Sequence, residues 1–185
     1  MLFRSGFYYD DKKQVQTINS LKPEFVAELA AAEVKQGFQT LIWTVYNEEA
    51  EILEKLLIAK GIEVKNLSGA TNDKDRLEII ESFRTGQLPC LISKSKLLGY
   101  GLNFQNCRSM IYSGWNDSFE QYYQSLRRAY RYGQEHHLRV HIPIIRELEN
   151  IIYENIYNKE QTFIDSVLRH EQAYIKIMRS IYGIN

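Results

Sequence analysis

Five short apolar runs, most of them separated by stretches of helical periodicity, constrain this chain more than any other feature. They are Gln39–Tyr46, Ile62–Leu67, Pro89–Ser93, Ser109–Ser113 and His137–Ile142. Near-continuous hydrophobicity over four to eight residues suits strands buried on both faces. Strands that alternate with helices must be joined by crossovers, so the sheet should be mainly parallel with helices on both sides, an α/β fold. The first helix should open at Pro23, turn Phe25, Val26, Leu29 and Val34 inward and stop at Gly37. The second should be capped by Asn47, carry Glu48 and Glu49 at its positive end, and bury Leu53, Leu56 and Leu57 before Gly61. The third has Asn72 and Asp75 at capping-box spacing and Leu77, Ile80 and Phe83 as its inner stripe. Ligands of such sheets gather at the carboxyl ends of the strands, so the loops at Asn47, Ser68, Ser93 and Gly114 should share one rim.

The two ends read differently. Residues 1–20 carry aromatic residues without a sustained period and form an irregular or short-strand lead-in. From residue 144 to 185, Leu148, Ile151, Ile152, Ile156, Phe163, Val167, Tyr174, Ile175 and Met178 recur at helical spacing, which predicts two helices packed over the sheet. The expected organisation is therefore a lead-in over 1–20, a lobe over 21–143 and a C-terminal helical extension over 144–185. No apolar run approaches the ~20 residues of a membrane span, and the first ten residues lack the pattern of a signal peptide. A cytoplasmic protein with no membrane partner is expected. Cys90 and Cys107 sit in or beside apolar strands, as buried thiols of a reducing compartment do.

Lysine plus arginine and aspartate plus glutamate each number 23. With no global basic field, any contact with phosphate must come from a local patch. One candidate is Gln124–Gln134, QSLRRAYRYGQ. Wound as a helix from Phe119 to Arg131, it places Phe119, Tyr123, Leu126 and Tyr130 on a core-facing stripe and Gln124, Arg127, Arg128 and Arg131 on another side. Guanidinium groups side by side repel unless an anion such as phosphate lies between them, and the plain alternative is a solvated basic face. A second candidate is Ser93–Gln105, SKSKLLGYGLNFQ, whose Gly99 and Gly101 would allow close approach of a ligand, with Ser93, Lys94 and Lys96 offering donors. The plain alternative is a connecting glycine turn. His136, His137, His141 and His170 form no ligand pattern, and no metal site is expected.

These stretches resemble the Swi/Snf-like branch of superfamily-two helicases, within the wider DEAD/DEAH-type group. Gln124, Arg128, Arg131, Gly133 and Gln134 fill its last motif, in which two arginines reach ATP phosphates across a cleft. By that resemblance Arg128 and Arg131 are the catalytic candidates, with Arg131 the arginine finger and Gln124 nearby on the nucleotide. Arg127 departs from the small residue usual there. Gly99, Gly101, Leu102 and Asn103 resemble the fifth motif, which implies nucleotide contact by Gly101 and Asn103 and nucleic-acid backbone contact by Ser93 and Lys94. Ser68-Gly69 is similar to a turn that meets a backbone phosphate. Trp115 and Asn116 match an aspartate-tryptophan-asparagine stretch, but Ser113 and Gly114 replace its acidic residue. The implied fold is a RecA-like three-layer sandwich with a mainly parallel sheet and a C-terminal helical extension.

ATPases of that superfamily need a Walker A loop, G-x-x-x-x-G-K-[ST], and an acidic Walker B motif for magnesium. Neither occurs in this sequence. The resemblance thus implies the second of two lobes, working with an N-terminal RecA-like lobe that carries Walker A and B and holds most of the ATP and Mg. The implied nucleic acid is double-stranded DNA. The competing expectation is a stand-alone, non-hydrolysing nucleic-acid-binding or regulatory module.

Overall fold

The structure is a computed structural model. It describes residues 5, 7–10, 12, 14–17, 20–98, 102–114, 118–134 and 136–182, without the side chains of 9, 17, 147, 148 and 176–182. Gly99, Gly101, Trp115 and Asn116, and the side chains of Leu148 and Met178, lie outside the described residues.

A short antiparallel hairpin, β1 (Phe7–Tyr9) and β2 (Val15–Thr17), opens the chain. The rest alternates as expected: α1 (Leu21–Lys35), β3 (Thr40–Trp43), α2 (Asn47–Ala59), β4 (Val64–Leu67), α3 (Asp73–Arg84), β5 (Cys90–Ser93), β6 (Ser109–Tyr112), α4 (Phe119–Leu126), β7 (Arg139–His141) and α5 (Arg146–Tyr182). The last five strands form one sheet in the order β4-β5-β3-β6-β7, parallel throughout. The fold is α/β and RecA-like, as the apolar runs and the resemblance imply.

The two-residue period of the strands separates two cores. Leu41, Trp43, Leu91, Met110 and Tyr112 face Ile80 and Phe83 of α3, Phe119, Tyr122 and Leu126 of α4 and Ile152 and Ile156 of α5. The alternate residues Ile42, Cys90, Ile92 and Ile111 face Val26, Ala27, Ala30 and Ala31 of α1 and Ala50, Leu53 and Leu57 of α2. Burial raises the Cys107 thiol pKa to about 12, and that of Cys90 higher still, so neither is a nucleophile at neutral pH.

Several local expectations are corrected. Asn47 is the first residue of α2 and not its cap, and Tyr46 at the N-cap position makes no side-chain cap bond. Phe25 and Leu77 are 56% and 69% exposed, because small alanines let α1 lie close to the sheet and α3 touches it through Ile80 and Phe83. Asn72 does cap α3: its Oδ1 accepts from the Asp75 amide at 2.9 Å and its Nδ2 donates to Asp75 Oδ2 at 2.8 Å. The C-terminal extension is one helix of 37 residues and not two. Its first turns are held by a buried ion pair, Lys22 Nζ to Glu149 Oε1 at 2.7 Å and Oε2 at 2.6 Å, and the Ile145 amide donates to the same carboxylate at 2.8 Å.

Candidate nucleotide and nucleic-acid site

Trp43, Ser93 and Tyr112 are in register across the sheet, as are Leu67 and Ser93. The loops that follow therefore leave at one level, the shared rim expected from the sequence. Neighbouring β3 and β6 send their helices to opposite faces, the switch point beside which α/β sheets bind ligands.

The turn after β4 is held by the Thr71 amide donating to Ser68 O at 3.2 Å and the Ser68 amide donating to Thr71 Oγ1 at 3.1 Å. Ser68 is half-buried and Gly69 exposed. A Cβ added at Gly69 would meet only Leu97, at 4.0 Å, so packing does not require glycine there. After β5, the Ser93 side chain is turned inward, 1% exposed, with Oγ donating weakly to Leu67 O at 3.4 Å. Lys94 beside it is half-buried and Lys96 exposed.

Because β5 and β6 are parallel, the chain between them must cross from the carboxyl to the amino rim. It does so against the segment that follows α4. Phe104 N–H donates to Arg128 O at 2.8 Å, Gln105 Nε2 to Tyr132 O at 2.6 Å and Gln134 Nε2 to Cys107 O at 3.2 Å. These bonds explain a further correction. The helix expected to run to Arg131 ends at Leu126, with Arg127 as its C-cap, because the Arg128 carbonyl turns toward Phe104. Tyr130, expected in the core, is consequently 57% exposed. The chain still turns at Gly133, where φ is +89° and a Cβ would sit 3.2 Å from Gln105 Nε2.

The candidate side chains divide as follows. Arg128 and Gln124 line a concavity of about 310 Å³ with Ser95, Lys96, Leu98, Glu120 and Gln121. The Gln124 amide already donates to Glu120 at 2.9 Å. Arg131 is exposed and enters no ion pair among the described residues, whereas Arg127 lies over the Tyr130 ring at 5.9 Å. Asn103 Nδ2 donates to Gln105 Oε1 at 3.2 Å, and its Oδ1 is buried without a partner among the described residues. Tyr112 Oη and Ser125 Oγ, 2.8 Å apart, tie α4 to β6.

One arrangement was not anticipated from the sequence. Glu49 is 1% exposed and accepts from Ser113 Oγ at 2.7 Å and from the Val45 amide at 3.1 Å. Burial raises its pKa, against the lowering effect of these donors. The only available signal was Ser-Gly in place of an acidic residue. Gly114 is needed because a Cβ would lie 2.9 Å from both Glu49 Oε2 and Val45 Cγ2 and 3.1 Å from Val45 N. Gly114→Ala is expected to cost about 1–3 kcal/mol by overpacking. A thermal melt should show it, and an unchanged midpoint would mean that the loop yields freely.

Comparison with known proteins decides the family. The profile of the helicase conserved C-terminal domain matches residues 21–133, more than half of the chain. The chain belongs to the helicase conserved C-terminal domain family. This helicase C-terminal domain is 30% identical over 169 residues to YwqA of Bacillus subtilis, named as an ATP-dependent helicase/translocase, covering 88% of the chain and 18% of that protein. It is 29% identical over 130 residues to Protein CHROMATIN REMODELING 24 of Arabidopsis thaliana, covering 67% of the chain and 12% of that protein. The domain thus spans under a fifth of the length of these relatives. Among solved structures, the C-terminal part of the Fun30 ATPase domain shares the fold, with a TM-score of 0.66 and 23% identity over 75% of this chain and 46% of that one.

Proposed function

We propose that this chain is the second motor lobe of an ATP-dependent translocase acting on double-stranded DNA. The observation that carries the reading is the set of three hydrogen bonds joining residues 104–107 to 128–134, with Arg131 left exposed beside them and without an ion pair among the described residues. The asparagine segment and the arginine turn thereby move as one body. In this reading ATP binds on an N-terminal lobe that carries Walker A and B. Closure brings Arg128 and Arg131 onto its terminal phosphates, where two fixed positive charges stabilise the charge that develops in phosphoryl transfer. Gln124, Gly101 and Asn103 complete the nucleotide side. The Oδ1 of Asn103, which has no donor among the described residues, is available to accept a hydrogen bond from the nucleotide.

On the rim, Gly69 exposes backbone that its packing does not demand, which suits a phosphate resting against the Ser68-Gly69 turn. Lys94 supplies charge next to it, while Ser93 fixes the end of β5 through its inward hydroxyl. Domain bounds of 21–143 for the lobe and 144–185 for the extension follow from this reading.

The test uses the two-lobe protein containing this chain. ATP-dependent displacement of a third strand from a DNA triplex, without separation of the duplex, is expected. Lys94→Ala should weaken DNA binding across sequences and flatten the dependence of log affinity on log salt by about one unit. Duplex separation without triplex displacement would replace translocation with unwinding. DNA binding that ignores salt would remove the rim from the mechanism.

A further inference from the structure

Two arginines at the opposite, amino-terminal rim of the sheet have no part in the site above. Arg108 precedes β6 and Arg139 begins β7, and the Arg139 amide donates to Arg108 O at 2.9 Å. Both guanidinium groups lie over one ring, that of Phe38, at 5.3 Å for Arg108 and 4.3 Å for Arg139. Phe38 is fixed in turn by its amide, which donates to Glu33 O at 3.1 Å. With His136 and His137 these residues line a concavity of about 270 Å³.

The charge is only partly answered. Glu33 Oε1 accepts from Arg139 Nη1 at 3.2 Å, and Gln36 Oε1 accepts from the same nitrogen at 3.3 Å. Glu33 Oε2 lies 3.6 Å from His141 Nε2. Among the described residues Arg108 has no ion-pair partner. One buried carboxylate therefore serves Arg139 and His141, while Arg108 keeps its full charge beside a second guanidinium.

We propose that this concavity binds a phosphate group. Stacking on a common ring restricts both guanidinium forks and lowers the entropy lost when they close on oxygen atoms. A compact anion with three or four oxygens can bond both forks bidentately at once, whereas a carboxylate that pairs bidentately with one fork has both of its oxygens engaged. The two histidines add donors at the mouth. The phosphate is either a free inorganic ion or a backbone phosphate of nucleic acid, and this site is independent of the nucleotide reading above.

The test is a titration of the full isotope-labelled chain, following the Arg108 and Arg139 side-chain resonances and the Phe38 amide. Inorganic phosphate and a short DNA duplex are added in separate arms. Saturable shifts at these groups are expected in at least one arm, and the arm that saturates first identifies the source. Arg108→Ala should weaken the response about tenfold or more, as expected for loss of a charge-assisted contact. Arg108→Lys, which keeps the charge and loses the fork, should weaken it less. No shift in either arm overturns the proposal. So do shifts centred on Arg131, an undiminished response in Arg108→Ala, or tighter binding of an oligoglutamate peptide, which would make the surface an acidic-protein contact. If Arg108→Ala does not fold, an undiminished response in Arg108→Lys is decisive against it.

Discussion

Arg131→Ala in the two-lobe protein is expected to lower DNA-stimulated ATP turnover by about a thousandfold or more while leaving ATP binding largely intact. A finger acts on charge that appears only in the transition state, so its loss should fall on kcat and not on nucleotide affinity. The geometry fits such a role. The side chain is exposed, carries no ion pair among the described residues, and rises from a turn locked to residues 104–107 by three hydrogen bonds. Arg127→Ala serves as the control, because Arg127 lies over Tyr130 and should leave turnover within a few-fold of the parent. Equal losses in both variants would assign the effect to general charge. Full turnover in Arg131→Ala would remove it from catalysis.

The second large effect concerns stability. Glu149→Ala is expected to cost about 3–5 kcal/mol, the usual range when one member of a buried ion pair is removed. Lys22 and Glu149 side chains are 4% and 1% exposed, and the variant would take from the buried Lys22 ammonium the carboxylate it bonds twice and deprive the Ile145 amide of its acceptor. Replacing both charges, as Lys22→Met with Glu149→Leu, should recover most of the loss, because no charge then remains to be desolvated. Urea denaturation of the three proteins measures this. A loss below about 1 kcal/mol in the single variant would place the pair in the solvated class.

The fold was legible because strands covered on both sides announce themselves as apolar runs. Asn72 and Asp75 marked a helix start for an equally local reason. What escaped the sequence depends on contacts between distant segments. The end of α4 is decided by a bond to Phe104, which no helical wheel contains. The Lys22–Glu149 pair spans 127 residues of sequence and looks like two ordinary surface charges. The clamp of Arg108 and Arg139 on Phe38 is likewise assembled from three strand starts. The continuity of α5 could have been read, since residues 146–182 contain neither glycine nor proline. Of the candidate site, the two stretches could be picked out from the sequence, while the hydrogen bonds that join them, the inward turn of Ser93 and the burial of Glu49 could not.

The unbroken α5 has a mechanical consequence. Beyond Phe163, whose ring packs against Phe119 and Tyr123 of α4 at 5.7 and 5.2 Å, the helix continues to Tyr182, roughly 28 Å further at the usual rise per residue. A stiff rod clamped at its base is a lever arm. A rotation of the body by about ten degrees sweeps its tip through about 5 Å, so small angular steps at the base become displacements large enough to engage or release whatever the far end touches.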